Sequence, residues 1–348
     1  MKVALLVPGP FDTVSGGYSY DRRLVAGLRA LGHGAEVVEL AGRHPLPDDA
    51  ARAAARAALD ALPEDAVPVV DGLGLPSFAP VADALARRNA VVLVHHPTAL
   101  ETGFSGADRD ALRATELELF GRAARVVATS PLTARRLVEE FSADPARVGV
   151  VEPGTDPAPR ATGSGGPGAA LLSVGALVPR KGHDVLLRAL AGLADLDWRL
   201  AIAGPEGRDP VHARGLRALA EELGIAQRVE FAGAVGAERL EALYAGADLF
   251  ALASHWEGYG MAVAEALARG LPLAVTAGGA LAELAPEDAS VVSPPGDHVS
   301  LGKGLRRVIF DEALRRHMAE AAWRAGQRLP RWEDRAEAFV AEIEKSLG

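Results

Sequence analysis

Apolar positions along this chain follow two rhythms, and the pair of rhythms occurs twice. Short continuous apolar runs at residues 3–7, 35–40, 67–70, 90–94 and 125–128 predict strands. Runs that are apolar at consecutive rather than alternate positions suit a parallel sheet covered on both faces. Between them, residues 18–31, ending near Gly32, have helical spacing. Residues 48–62 and 80–88 read as alanine-rich helices, and 131–141 as another with Ser130 as N-cap.

Residues 152–169 concentrate proline, glycine, serine and threonine, which removes strand and helix character and predicts a connection between domains. The alternation then restarts, with strands expected at 170–174, 199–203, 229–232, 249–253 and 273–276 and helices at 184–193, 211–223, 237–245 and 261–269. A last helix over 331–347 carries Trp332, Ala336, Phe339 and Ile343 at apolar spacing. The predicted class is α/β with two Rossmann-like domains, each built on a parallel sheet: residues 1–155 and 170–328, joined by a linker at 156–169. Residues 329–348 are expected to pack back on the first domain. No short internal repeat relates the halves, so they share architecture rather than residues.

A length of 348 residues suits two such cores better than one. The hydrophobic fraction of 49% supplies enough apolar material for two buried sheets and excludes a disordered chain. A net charge of -9 argues against general nucleic-acid binding. No apolar run approaches the roughly 20 residues needed to span a bilayer, and the opening MKVALLVPGP reaches proline too early for a signal peptide. The expected location is cytoplasmic, and Arg22, Arg23, Arg135 and Arg136 leave open a peripheral contact with the inner membrane face. Cysteine is absent, which removes disulfides, thiolate metal sites and thiol nucleophiles together. Lysine occurs only at 2, 181, 303 and 345, so a lysine inside a motif attracts inspection.

Three segments stand out in order: Ser15-Gly16-Gly17 after the first strand, the run Val174 to Gly182 containing Arg180-Lys181, and Ser254-His255-Trp256-Glu257-Gly258-Tyr259-Gly260-Met261 continuing to Glu265. Gly16 and Gly17 precede a predicted helix N-terminus, where small residues let backbone N–H groups approach an anion. A tight turn explains the same pair. Arg180 and Lys181 fall at the carboxyl edge of a parallel sheet, where ligands of such folds bind, and adjacent cations there call for an anion. Gly258 and Gly260 break the chain before a helix starting near Met261, so Glu257 lies in a loop and Glu265 on the first helical turns.

Read together, these segments resemble glycosyltransferase family 4, whose members have the two-domain GT-B fold, with parallel sheets facing a central cleft, and retain anomeric configuration. The resemblance implies that Arg180 and Lys181 hold a donor diphosphate, that Glu257 faces the donor sugar, and that backbone N–H groups near Gly260 and Met261 meet the phosphates. Glu265 would bond ribose hydroxyls, and Gly16, Gly17, Gly204, Ser254, Gly258 and Tyr259 belong to the same substrate-binding set. His95 matches a family histidine near the reaction centre, with His96 and Glu101 as acceptor-side groups. Adjacent histidines on a strand point to opposite faces and spacing suggests no third ligand, so no metal is expected at this pair. Asp195-Leu196-Asp197 resembles a metal-binding Asp-x-Asp but falls between a helix and a strand at the wrong sheet edge, and reads as a turn.

The expected activity is metal-independent, cofactor-free transfer of a hexosyl group from a nucleotide diphosphate sugar to a saccharide, lipid-linked or small-molecule acceptor. The alternatives are an epimerase or hydrolase on the same fold, or a non-catalytic sugar-nucleotide-binding module.

Overall fold

The computed structural model describes residues 1–101 and 103–347 and divides into two compact units, Met1–Gly154 with Pro330–Gly348, and Thr155–Leu329. In the first unit the strands are β1 (Lys2–Pro8), β2 (Gly34–Leu40), β3 (Ala66–Asp71), β4 (Val91–Val94), β5 (Arg125–Ala128) and β6 (Val148–Val150). They alternate with α1 (Gly16–Ala30), α2 (Asp49–Ala61), α3 (Ala82–Arg87), α4 (Gly106–Arg122) and α5 (Pro131–Phe141). The sheet order is β2-β1-β3-β4-β5-β6, all parallel.

The second unit holds β7 (Ala169–Val174), β8 (Trp198–Ala203), β9 (Val229–Gly233), β10 (Leu249–Leu252), β11 (Leu273–Thr276) and β12 (Ser290–Ser293). Its helices are α6 (His183–Ala191), α7 (Pro210–Glu222), α8 (Ala237–Ala245), α9 (Met261–Ala268), α10 (Leu281–Leu284), α11 (His298–Phe310) and α12 (Glu312–Gly326). The order is β12-β11-β10-β7-β8-β9, again parallel throughout.

Side chains of successive strand residues point to opposite faces, and here both faces are buried. Leu171, Leu249 and Ala251 join Leu186, Leu190 and Trp198 on one side of the second sheet. Leu172, Phe250 and Leu252 join Tyr244, Val263 and Leu267 on the other. Burial on both faces is why the strand sequences are continuously apolar. In each sheet the strand order reverses beside the first strand: between β1 and β3, and between β7 and β10. Carboxyl ends of strands flanking such a reversal form a crevice where open α/β sheets take ligands.

Two differences from the expected organisation have clear causes. Residues 156–169 are not a free linker. Ala161 donates its N–H to Arg269 O at 2.9 Å, Thr162 to Ala245 O at 2.9 Å and Ser164 to Asp248 Oδ1 at 3.2 Å, so the strip is pinned to the second unit. Helix α4, strand β6, and α10 to α12 with β12, were not anticipated. In α4 the buried face is Leu112, Glu116, Leu119 and Phe120, and the carboxylate interrupts the apolar stripe that would announce it.

The terminal helix α13 (Trp332–Glu344) clusters with the first unit. Ala336 packs where Gly27 of α1 leaves room, and the Trp332 ring meets Tyr20 edge to face at 5.6 Å. Arg125 of β5 donates Nε–H to Glu342 Oε2 at 2.5 Å, and the pair is buried beside Gly149, where a side chain would collide with that carboxylate. Glu342→Ala strands a buried guanidinium. It should cost about 3 kcal/mol in urea unfolding, whereas the joint change Arg125→Met with Glu342→Leu should recover most of that loss. No helix among the described residues is long and apolar enough to cross a membrane.

Candidate active site

In the second unit, the loop after β7 turns through a 3-10 segment, Pro179–Lys181, and enters α6 at Gly182. Gly182 has φ of 61°, and a Cβ there would lie 2.0 Å from the carbonyl oxygen of Ala253, just beyond β10. Only glycine permits both, so this residue brings the two loops flanking the strand reversal together. His255 N–H then bonds Arg180 O at 2.8 Å.

Lys181 Nζ donates to Glu257 Oε1 at 2.6 Å, and Ser254 Oγ donates to the same oxygen at 2.6 Å. Arg180 donates to the Trp256 carbonyl at 2.6 Å and stands 3.6 Å from Glu257 Oε2. The backbone of Glu257 is fixed on both sides, by its N–H to Gly278 O and by Ala280 N–H to its carbonyl. Burial disfavours the Glu257 anion, yet Lys181 and Arg180, with the hydrogen bonds from Lys181 and Ser254, hold its carboxyl below the usual range. The loop continues through Gly258 and buried Tyr259 to Gly260, whose φ of 106° starts α9 at Met261.

Glu265 lies on the second turn of α9 and accepts from Tyr244 Oη at 2.9 Å; burial pushes its carboxyl up. It does not meet Glu257 through any described hydrogen bond. Gly204 follows β8 and donates to Gly233 O at 2.9 Å, while a Cβ there would come within 1.9 Å of Gly175 O. Close packing of two loop backbones accounts for that glycine without a ligand. Asp195 of the Asp-x-Asp segment pairs with Arg306 at 2.6 Å in the turn before β8.

Sequence reasoning passed over His183, the first residue of α6. It is fully buried, neither ring nitrogen has a hydrogen-bond partner among the described residues, and burial followed by the charge of Lys181 pushes it down to about 3. The ring is therefore neutral and does not repel Lys181.

In the first unit, Ser15 caps α1 by accepting from Tyr18 N–H at 3.3 Å, placing Gly16 and Gly17 in its first turn. Gly17 abuts the His95 ring, since a Cβ would sit 3.3 Å from Cδ2. His95 follows β4, and its Nε2 bonds Asp21 Oδ1 of α1 at 2.9 Å and stands 3.5 Å from Asp71 Oδ2 at the end of β3. The topology thus gathers two carboxylates that spacing in the sequence did not suggest. These three residues are the one place among the described residues where three potential ligand atoms lie within 4.8 Å of one another. The imidazole nitrogen that a metal would take is the one already bonded to Asp21.

His96 lies toward α5, where it adds to Arg136 and Arg113 in favouring the Glu140 anion. Glu101 closes the 3-10 turn Thr98–Leu100 and is half-buried. That turn is organised by a residue the sequence reading missed. Glu116 of α4 accepts from Thr98 N–H at 2.6 Å, Thr98 Oγ1 at 2.9 Å and Ala99 N–H at 3.1 Å, fixing the backbone just beyond His95-His96-Pro97.

Two doubly wound parallel sheets, each with charged side chains gathered at its carboxyl edge beside the strand reversal, are the architecture of the GT-B proteins. The family model described as glycosyl transferases group 1 matches residues 156–324, and the one described as glycosyltransferase family 4 matches residues 14–159. With both halves matched in order, the chain belongs to glycosyltransferase family 4. It is 38% identical over 216 residues to the D-inositol 3-phosphate glycosyltransferase of Mycobacterium sp. (strain KMS), covering 57% of this chain and 49% of that protein. To the enzyme of the same name from Salinispora tropica it is 34% identical over 233 residues, covering 60% and 48%. The chain spans about half the length of the curated relatives it matches.

Among solved structures, sucrose-phosphate synthase from Thermosynechococcus elongatus aligns with a TM-score of 0.83 at 19% identity, over 100% of this chain and 99% of that one. Anabaena HepE in complex with UDP and glucose aligns with a TM-score of 0.76 at 17% identity, over 99% of each chain. At such identities the likeness is one of fold.

Proposed function

We propose that this chain transfers a hexosyl group from a nucleotide diphosphate sugar to an acceptor hydroxyl, with retention of anomeric configuration and without a resident metal. The observation that carries the reading is the meeting of Arg180, Lys181 and Glu257 at the carboxyl edge of the second sheet, beside its strand reversal. Departure of a nucleoside diphosphate concentrates negative charge on its outer phosphate, and two fixed cations meet that charge as it develops. A third group, the anionic Glu257, is held beside them and positions the sugar. Glu265 and the start of α9 take the nucleotide.

In this reading the bond from the anomeric carbon to the diphosphate oxygen breaks and a bond to the acceptor oxygen forms on the same face. The acceptor proton passes to the departing phosphate oxygen. Donor binding belongs to the second unit and acceptor binding, with His95, His96 and Glu101, to the first. Relatives named for D-inositol 3-phosphate make a small phosphorylated polyol one acceptor to try, beside saccharides and lipid-linked sugars. A cytoplasmic setting belongs to the same proposal.

The test is incubation with a panel of nucleotide diphosphate sugars in the presence of chelator, following nucleoside diphosphate release and thermal stabilisation together. One donor should stabilise the chain, and release should rise when an acceptor is added, with a retained linkage by NMR. Release independent of acceptor would favour the hydrolase reading, and an interconverted donor sugar the epimerase reading. An absolute divalent-metal requirement would remove the charge-neutralising role given to Arg180 and Lys181.

A further inference from the structure

Helix α1, packed between β2 and α13, buries Tyr20, Leu24, Val25 and Leu28, and it buries Asp21 with them. A carboxylate in such a face is costly unless it has a partner of opposite charge or a full set of donors. Its partner is the His95 ring, which is held from several sides: Asp21 and Asp71 at Nε2, the Tyr20 ring edge-on at 5.2 Å, and the Gly17 backbone against Cδ2. Thr129 Oγ1, just beyond β5, donates to the His95 carbonyl at 3.4 Å. Nε2 is thus turned toward the two carboxylates, and Nδ1 is the ring nitrogen left for a ligand. Three carboxyl edges, those of β1 through α1, of β3 and of β4, converge here at the strand reversal.

One carboxylate is enough to fix the tautomer of a neutral imidazole. A second buried carboxylate adds negative charge that a neutral ring cannot balance, whereas an imidazolium balances it. We propose that Asp21 and Asp71 are paired positioning residues that lock His95 with Nε2–H inward and hold the ring as an imidazolium, so that Nδ1–H is presented as a fixed donor to a substrate oxygen. The proposal rests on the transferase reading given above for His95 and assigns to it two residues that reading did not contain.

The electrostatics run in the same direction. Burial alone would push His95 down, but Asp21, by charge and hydrogen bond, and Asp71, by charge, leave it raised. Burial and Asp21 push Asp71 up to about 7 while the charge of His95 draws it down, so at neutral pH the second negative charge is only partly present and the hydrogen-bonded Asp21 exerts most of the pull on the ring. Among the described residues, the charged groups that act on His95 are Asp21 on α1 and Asp71 on β3, and Tyr20 and Thr129 are neutral polar neighbours. A role that needs the imidazolium is complete below the raised value and fades as pH climbs through it.

The experiment uses the full chain, with side-chain nitrogen NMR of the histidines as one arm and steady-state kinetics as the other. In the wild type His95 should carry protons on both ring nitrogens at pH 7. Asp21→Asn and Asp71→Asn, both close in volume to the native residue, should each lower its titration midpoint by about one unit. Asp21→Asn should lower kcat about 10²-fold, with the donor KM within about twofold, and move the alkaline limb of kcat to lower pH by the same shift seen in the NMR. A neutral His95 at pH 7, or selective broadening of its resonances by added manganese, overturns the proposal. Absence of turnover by the wild type with every donor removes the transferase reading and this role together. Normal wild-type turnover with an unmoved pH profile in both variants removes the positioning role alone.

Discussion

Replacing Lys181 by alanine should lower turnover about 10²- to 10³-fold while the chain stays folded. The ammonium is fixed by Glu257 at 2.6 Å, and its side chain is only 14% exposed, so its charge acts through little water. Arg180 does not replace it, because the Trp256 carbonyl anchors its guanidinium in a place of its own beside Glu257 Oε2. Lys181→Arg should rescue poorly as well. The aliphatic stem lies against Gly175, where even an added Cβ would be 3.1 Å from Cε, leaving no room to swing a planar guanidinium into the same point. Stability should fall by far less than the activation free energy rises. Glu257 keeps Ser254 and Arg180 as partners and can take up a proton once Lys181 is gone, which limits the loss to about 1–3 kcal/mol. The check is kcat for nucleoside diphosphate release beside thermal unfolding of the same preparation. Transfer at a near-normal rate by a folded Lys181→Ala chain removes the diphosphate role from this pair.

Much of the frame behind that argument is legible in the sequence, and the parts that are not share a cause. Strands covered on both faces must be apolar throughout, so β5 and β11 are read with their observed limits from composition alone. Gly258 and Gly260 reveal the loop before α9, since only a break there lets Glu257 precede the helix. The pairing of Arg180 and Lys181 with Glu257 is long-range and enters through resemblance rather than pattern. Asp21, Asp71 and Glu116 escaped because each looks like a defect in an apolar element: a charge within the buried face of α1, a charge ending β3, a charge within the buried face of α4. A charge that interrupts a buried stripe is the signal that would have found all three, since its burial demands a partner from elsewhere in the fold. The strip 156–169 misled in the opposite direction. Its composition rules out regular structure, but its backbone groups still find partners, in Arg269, Ala245 and Asp248.

Glu257→Gln tests the same site from its negative side, and its signature should differ in kind from that of Lys181→Ala. The glutamine keeps the shape and can still accept from Ser254, but Lys181 and Arg180 lose the charge that balances them. Two unopposed cations should hold the departing nucleoside diphosphate more tightly, lowering its inhibition constant about tenfold, which corresponds to about 1.4 kcal/mol. Turnover should drop about 10²-fold, with the donor KM falling rather than rising. The acid side separates charge from shape. Because the folded carboxyl titrates below its ordinary value of about 4.3, the stability it contributes is complete above that value and is lost as pH falls through the lowered folded one. Wild type should therefore be more stable than Glu257→Gln at pH 7, and the two should converge as pH falls below about 4. Urea midpoints of both chains from pH 3 to pH 7, read beside product inhibition, decide the matter. A stability gap that does not change with pH would mean that Glu257 acts through packing, and unchanged product inhibition would mean that Lys181 and Arg180 do not meet the diphosphate.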